Sequence, residues 1–294
     1  MSDQNTLIDK SLARKAFDRA ASTYDEAAVL QREVGERIIE RLDFLKIQPE
    51  VILDLGSGTG YCTQFLSERY TSANIVSMDF SMQMLQTANS RLDVKNNRFV
   101  CADMERLPFA DKSIDFIFSN LTVQWCNDLS ALFNEFKRIL TKDGLLMFST
   151  FGPDTLWELR ESWQSVDGFV HVNNFIDMHN VGDALFQAGM GDIVMDSEPF
   201  TLTYKEVKTL MRDLKDIGAH NVNAGRAHGM TGKQRLQKMM TAYEKFRSED
   251  VLPATYEVIY GHAWALENVT MKGPQTVSIP VDAIGFDFPD NSDA

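Results

Sequence analysis

The chain has few cysteines, no long apolar run and no excess of basic residues. Its three cysteines, Cys62, Cys101 and Cys126, are too few and too far apart for a disulfide framework or a cysteine-based metal site. No segment approaches the roughly 18 apolar residues that a membrane span needs, and no apolar run near the N-terminus is typical of a signal peptide. The net charge of −13 argues against binding nucleic acid over a broad surface, because that relies on Lys and Arg neutralising phosphates. We therefore expect a cytoplasmic protein that holds no metal and binds neither nucleic acid nor membrane. A monomer is a separate expectation.

Alternating apolar runs and amphipathic segments predict an α/β fold. Strands are expected near 51–56, 74–80, 98–103, 115–119, 144–150, 192–203 and 254–264. A turn at Lys142 to Gly144 is expected to end a helix over 131–140, and about 50 residues of helical pattern separate the last two strands. The predicted units are an N-terminal helical cap (1–45), a core (46–204 and 251–266), a basic helical lid (205–250) and a weakly ordered tail (267–294).

The most informative motif is a glycine-rich turn after the first strand. Gly56, Gly58 and Gly60 stand at alternate positions, and the next apolar run ends at Asp79. Glycines at such a turn let a ligand lie against the backbone, and the acid can bind ribose hydroxyls. The spacing resembles that of class I S-adenosylmethionine-dependent methyltransferases. The resemblance implies a Rossmann-like seven-stranded mixed sheet with helices on both faces, and S-adenosylmethionine converted to S-adenosylhomocysteine.

Residues at the carboxyl ends of the strands are the candidates for binding this cofactor. Asp54 is expected to hold the amino group, the helix after Gly60 to favour the carboxylate, and Asp79 to bind the ribose. Asp79 or Ser81 capping the next helix is the alternative. The full predicted set is Asp54, Gly56, Ser57, Gly58, Gly60, Asp79, Phe80, Met84, Ala102, Asp103, Met104 and Asn120.

The end of the fourth strand, Phe118 to Trp125, is where the methyl acceptor is expected. It lacks the Asn- or Asp-Pro-Pro-aromatic motif of enzymes that methylate base amines or glutamine amides, which argues against those substrates. Trp125 is either a wall of the active site or plain core.

Four further segments resemble the malonyl-[acyl-carrier protein] O-methyltransferase family of biotin synthesis: 16–31, 119–126, 151–159 and 214–226. The resemblance covers roughly residues 10 to 265. It implies methylation of the free carboxylate of a malonyl thioester on a carrier protein. A carboxylate is already ionised at neutral pH, so no general base is required. Tyr24 and His171 are candidates at the reacting carboxylate, and Arg160, Lys215 and Arg226 at the malonyl oxygens or the phosphopantetheine arm.

The predicted lid is basic in an acidic chain. The segment from Lys205 to Arg247 contains ten basic and four acidic residues, so its charge is +6 and that of the rest of the chain is −19. Lys205, Lys208, Arg212 and Lys215 recur at helical spacing, which predicts one basic helix face. Either this face is merely solvated, or it docks an acidic carrier protein.

Two other functions stay open at this point. One is a methyltransferase for a free small carboxylic acid, or for carbon in quinone synthesis, for which a basic docking face would be unnecessary. The other is a non-catalytic adaptor that binds S-adenosylmethionine, whose glycine loop would usually be degraded.

Overall fold

The computed structural model describes residues 7–92, 96–219, 221–226 and 232–267. Their seven strands form one sheet in the order β3-β2-β1-β4-β5-β7-β6. The strands are β1 (Val51–Leu55), β2 (Asn74–Asp79), β3 (Asn97–Cys101), β4 (Ile114–Ser119), β5 (Leu140–Phe151), β6 (Gly191–Tyr204) and β7 (Leu252–Trp264). β1 to β5 pair in parallel, and β7 lies antiparallel between β5 and β6. The predicted mixed sheet is confirmed. Of the predicted tail, all but Glu267 lies outside the described residues.

Helices precede the sheet, connect its strands and fill the segment before β7. The described α-helices are α1 (Lys10–Ala20), α2 (Tyr24–Ala27), α3 (Val29–Arg41), α4 (Tyr61–Arg69), α5 (Met82–Arg91), α6 (Leu129–Ile139), α7 (Trp157–Gln164), α8 (Met178–Gln187), α9 (Val207–Asp216) and α10 (Lys233–Tyr243). No helix among the described residues is both long and apolar enough to cross a membrane.

Alternation along the strands divides the core into two layers. Phe116 and Phe118 of β4 pack in one layer, with Leu66 of α4, while Ile117 between them packs in the other with Phe133 of α6. Both faces of the central strands are therefore covered, as is typical of parallel sheets. β2 and β3 are added on one side of β1, and β4 is then added on its other side. An open crevice is expected at the carboxyl ends of β1 and β4, where the order changes direction.

Two local predictions differ from the structure. The helix expected over 131–140 ends at Ile139 and β5 begins at Leu140, so that the predicted turn at 142–144 lies within the bounds of β5, where Asp143 has a φ of +59° and the pairing with β4 shifts register. Pairing of Leu140 with Ile114 extends this backbone, a tertiary contact that local turn residues do not reveal. Lys205 lies before α9 rather than on it, because α9 begins at Val207.

The N-terminal segment is tied to the 205–250 segment through the backbone. The Asp9 N–H donates to the Val222 carbonyl at 2.9 Å, and the Ala224 N–H donates to the Leu7 carbonyl at 2.9 Å. The α2 helix also contacts α9. Two segments that are distant in the chain thus meet above the carboxyl edge of the sheet.

Candidate active site

A cavity of about 660 Å³, the donor pocket, lies at the carboxyl ends of β1 to β4 and beneath α1. Nine of the predicted cofactor residues line it: Gly56, Gly58, Asp79, Phe80, Met84, Ala102, Asp103, Met104 and Asn120. All but Met84, which lies on α5, end a strand or lie in the loop after one, so the parallel sheet gathers them at one edge. Tyr24 and Trp125 also line this pocket.

The glycine loop has the backbone conformation that its composition predicts. Gly58 has a φ of +55°, and no atom lies within 4 Å of the position that a Cβ would take. Asp79 braces the loop, because one carboxylate oxygen accepts from the Gly58 N–H at 3.0 Å and the other from the Ser81 N–H at 2.8 Å. Ser81, not Asp79, caps α5, since its side chain accepts from the Met84 N–H. The carboxylate of Asp79 is thus held at the pocket wall.

Two carboxyl groups at this site have raised pKa values. Burial raises the pKa of Asp54 to about 7, and the charge of Asp79 adds to the effect, although the Thr63 hydroxyl donates to Asp54 at 2.5 Å and opposes it. Burial raises the pKa of Asp79 to about 6, partly offset by the N–H groups of Ser81 and Gly58. Carboxylates held in a poorly solvated place favour a cationic ligand, which would restore their ordinary pKa.

A smaller cavity of about 430 Å³, the loop pocket, lies beside the glycine loop. Asp54, Ser57, Gly58 and Asn120 line it, together with Arg32. Gly60 lines neither of these two pockets, and its role is in the backbone turn. It lies at the N-cap of α4 with φ +84°, and a Cβ there would lie 2.7 Å from the Leu92 side chain.

A third cavity of about 750 Å³, the acceptor pocket, adjoins the donor pocket. Four residues line both: Phe17, Tyr24, Leu121 and Trp125. Leu121 has a left-handed φ of +47°, and Ser149 supports it by accepting from its N–H at 2.9 Å. Such a strained backbone at the junction of two pockets is typical of functional sites.

Tyr24 and His171 both line the acceptor pocket. Burial, and then the charge of Asp79, raise the pKa of Tyr24 well above its usual range, so its phenol stays neutral. His171 stacks on Trp163 at 3.8 Å between ring centroids. Its Nε2 lies 2.8 Å from Asp167, which also pairs with Arg235 of α10 at 2.5 Å. The His171 ring is therefore fixed from two sides.

The structure brings the other predicted substrate residues to different places. Arg160 donates to the carbonyls of Pro153 and Thr155, and Arg226 donates to the Asn223 carbonyl. Within the described residues, neither lines any of the three pockets. Lys205, Lys208, Arg212 and Lys215 are exposed, and none forms an ion pair among the described residues.

Sequence reasoning missed several residues of the site. Lys10 of α1 lines the donor pocket and pairs with Asp103 at 3.1 Å, so that a cation lies beside one of the predicted cofactor residues. Asn173 lines the acceptor pocket, and its side-chain oxygen accepts from Asn223 at 2.7 Å. Neither residue belongs to a motif or follows a helical or strand period, so no signal in the sequence marked them.

Comparison with known proteins identifies relatives of nearly full length. Residues 53–148 match a family model described as a methyltransferase domain. A malonyl-[acyl-carrier protein] O-methyltransferase of Gallionella capsiferriformans is 52% identical over 265 residues, covering 88% of this chain and 91% of the relative. One from Halorhodospira halophila is 43% identical over 282 residues, covering 95% and 96%.

Solved structures share the fold at low sequence identity. The YcgJ protein of Bacillus subtilis superposes with a TM-score of 0.57 at 15% identity, covering 80% of this chain and 99% of that protein. A phosphoethanolamine N-methyltransferase 2 of Haemonchus contortus, solved with S-adenosyl-L-methionine, has a TM-score of 0.53 at 14% identity, covering 84% and 57%. These likenesses establish the class I methyltransferase fold.

Proposed function

Since this chain belongs to the malonyl-[acyl-carrier protein] O-methyltransferase family, we propose that it methylates the free carboxylate of a malonyl group carried on an acyl carrier protein. The methyl donor is S-adenosylmethionine, and the reaction is an early step of biotin synthesis. The observation that carries the proposal beyond family membership is the pair of adjoining pockets. The donor pocket, with Asp79 in its wall and Asp54 in the adjoining loop pocket, meets a separate acceptor pocket at Tyr24, Leu121 and Trp125. Both acids have raised pKa values.

The residues of the donor pocket fit a cationic nucleoside. Asp79 would bind the ribose hydroxyls, Phe80 and Met84 would flank the adenine, and Asp54 would hold the amino group. S-adenosylmethionine supplies a methyl group on a positively charged sulfur and leaves as S-adenosylhomocysteine. The positive charge suits a site whose two carboxyl groups, Asp79 in the donor pocket and Asp54 in the adjoining loop pocket, are kept from full solvation.

The acceptor pocket needs to position a nucleophile rather than to activate one. The malonyl carboxylate is ionised at neutral pH, so no proton has to be removed from it. Tyr24 would orient it as a neutral donor, without the full positive charge that would weaken an attacking oxygen. The apolar residues around it, such as Leu121 and Phe151, would exclude water. His171, fixed by Asp167 and Trp163, is the second proposed contact.

The α9 helix would connect carrier docking to the acceptor pocket. Leu214 on α9 and Ile217 just after it line the pocket, while Lys208, Arg212 and Lys215 lie exposed on the helix. A carrier protein with an acidic surface would be steered to this side of α9. The malonyl group would then enter beside the helix that binds its carrier.

Transfer of a labelled methyl group tests the function directly. We expect incorporation into malonyl-carrier protein to exceed that into malonyl-coenzyme A and free malonate. Equal transfer to free malonate would support a small-molecule enzyme, and no transfer despite cofactor binding would support an adaptor.

Charge reversal tests the docking face. The double substitution Lys208→Glu and Arg212→Glu is expected to raise the KM for malonyl-carrier protein by about 10-fold at low salt, since each exposed pair contributes up to about 1 kcal/mol. The matched control is Lys233→Glu with Lys238→Glu on α10, two exposed cations without ion pairs among the described residues. Equal effects of the two double variants would contradict docking at α9.

A further inference from the structure

The loop pocket has the charge pattern of an amino-acid binding site. An α-amino acid presents an ammonium and a carboxylate side by side, and each is bound best by a group of opposite charge. Asp54 supplies the negative charge at the end of β1, while the other acid of the lining, Asp25, is paired with Arg91. Of the described residues that line this pocket, Arg32 on α3 alone carries a positive charge.

Arg32 is anchored at one nitrogen. Its Nη1 donates to the backbone carbonyl of Asp25, which orients the side chain from α3 towards the glycine loop. The Asp25 carboxylate does not neutralise it, because that carboxylate accepts from the Thr59 hydroxyl at 2.6 Å and pairs with Arg91. Among the described residues no acid forms a salt bridge with Arg32. Its remaining donors can therefore serve a ligand.

A second, independent observation marks the same cavity as a ligand site. Ser57 lines it and is 92% buried, with 8% of its surface exposed, yet its hydroxyl has no hydrogen-bond partner among the described residues. A buried hydroxyl without a partner is costly unless a ligand supplies one. Tyr61, the first residue of α4, lines the pocket as well, so the positive end of the nine-residue helix dipole faces the same place.

We propose that Arg32 binds the α-carboxylate of the methionine part of S-adenosylmethionine, opposite Asp54. The inference rests on the proposed cofactor and adds a residue from outside the strand-end motifs. Arg32 would recognise the amino-acid end of the cofactor, and its anchoring at Asp25 would place the bound carboxylate beside the helix that carries Tyr24.

Two ligands that differ only in the carboxylate test the proposal. The affinities of S-adenosylhomocysteine and its decarboxylated analogue, which keeps the amine, are measured by calorimetry on wild type and Arg32→Met. Wild type is expected to prefer S-adenosylhomocysteine by about 10- to 100-fold, the range of a charge-assisted hydrogen bond. Arg32→Met is expected to lose this preference while binding the analogue within about 3-fold of wild type, and Arg32→Lys to keep part of it.

Arg91→Met is the matched control, because Arg91 also binds Asp25 but does not line the loop pocket. It is expected to keep the preference for S-adenosylhomocysteine. If Arg32→Met weakened both ligands equally, Arg32 would be a structural support and the proposal would be wrong. If wild type itself bound both ligands equally, the carboxylate would go unrecognised and the proposal would again be wrong. If wild type bound S-adenosylhomocysteine no better than adenosine, the proposed cofactor would be at fault instead.

Discussion

The donor and acceptor halves of the site are built in different ways. The donor half comes from short stretches at the ends of adjacent strands, 54–60, 79–84 and 102–104. The acceptor half is assembled mainly from α1 to α3, the loop after β4, the segment from the end of β5 through α7 to residue 175, and the end of α9, with Tyr256 of β7. Strand ends in a covered parallel sheet are rigid and in register, whereas helices and loops can vary without disturbing the sheet. The proposed donor half therefore depends mainly on the sheet, and the proposed acceptor half mainly on the helices and loops that cover it.

The two halves are joined by a few side-chain contacts. Asp25, beside Tyr24 on α2, accepts from Thr59 in the glycine loop at 2.6 Å. Phe17 of α1 packs edge-on against Trp125 at 5.1 Å between ring centroids. Substitutions in the donor half should therefore alter cofactor affinity, and substitutions in the acceptor half should alter kcat or KM for the methyl acceptor.

The largest expected effect concerns the donor half. Asp79 uses both carboxylate oxygens to accept from Gly58 and Ser81 N–H groups, and Asn offers only one oxygen, so its NH₂ would face one of the two donors. Asp79→Asn is expected to weaken S-adenosylhomocysteine binding by about 100-fold, measured by calorimetry. Asp111→Asn is the control, because Asp111 is 75% exposed, pairs with Arg138 and lines none of the three pockets. A similar loss of affinity in both variants would contradict a specific role of Asp79 in holding the glycine loop.

The next effect is a dependence of stability on pH. The folded-state pKa values of about 7 for Asp54 and about 6 for Asp79 lie above the value near 4 of an unfolded aspartate. The folded state binds these protons more tightly, so the free energy of unfolding of the ligand-free protein should fall as pH rises from about 4 to about 7, and these groups should add no change above that.

Asp54→Asn removes one of these groups. Since one pKa unit corresponds to about 1.4 kcal/mol, even half of the shift at Asp54 predicts a gain of about 2 kcal/mol at pH 8 and little gain at pH 4. Urea unfolding at both pH values checks this, with the exposed Asp111→Asn as control. A gain that did not depend on pH would point to packing rather than to charge. The same variant should bind S-adenosylhomocysteine more weakly, because Asp54 is proposed to hold its amino group. The buried Asp54 would then lower the stability of the fold in exchange for cofactor binding.

The smallest effect is expected in the acceptor half. Tyr24→Phe keeps the ring at the junction of the two pockets and removes only the neutral hydroxyl. We expect kcat to fall about 10-fold, within the range for a lost positioning contact, while the affinity for S-adenosylhomocysteine changes less than 3-fold. Tyr70→Phe is the matched control, because Tyr70 lines none of the three pockets. A large loss of cofactor affinity in Tyr24→Phe would place Tyr24 in the donor half.

Local pattern predicted the donor half because its residues obey short-range rules. An apolar strand, a glycine turn and an acid at the next strand end specify backbone shape within a few residues, and parallel pairing then brings Gly58 and Asp79 together. The same reasoning was weaker at Lys205 and at the turn over 142–144, where boundaries depended on pairing with distant strands.

By itself, the sequence determined the sheet, the donor loop and the family, since these depend on periodicity, turn chemistry and contiguous motifs. Only the tertiary structure decided which side chains face the pockets. Lys10 pairs with Asp103 across 93 positions, and Asp25 accepts from Thr59 across 34. Such contacts follow from how helices pack over the sheet, and no local spacing encodes them, because their free energy arises only once both partners are already in place.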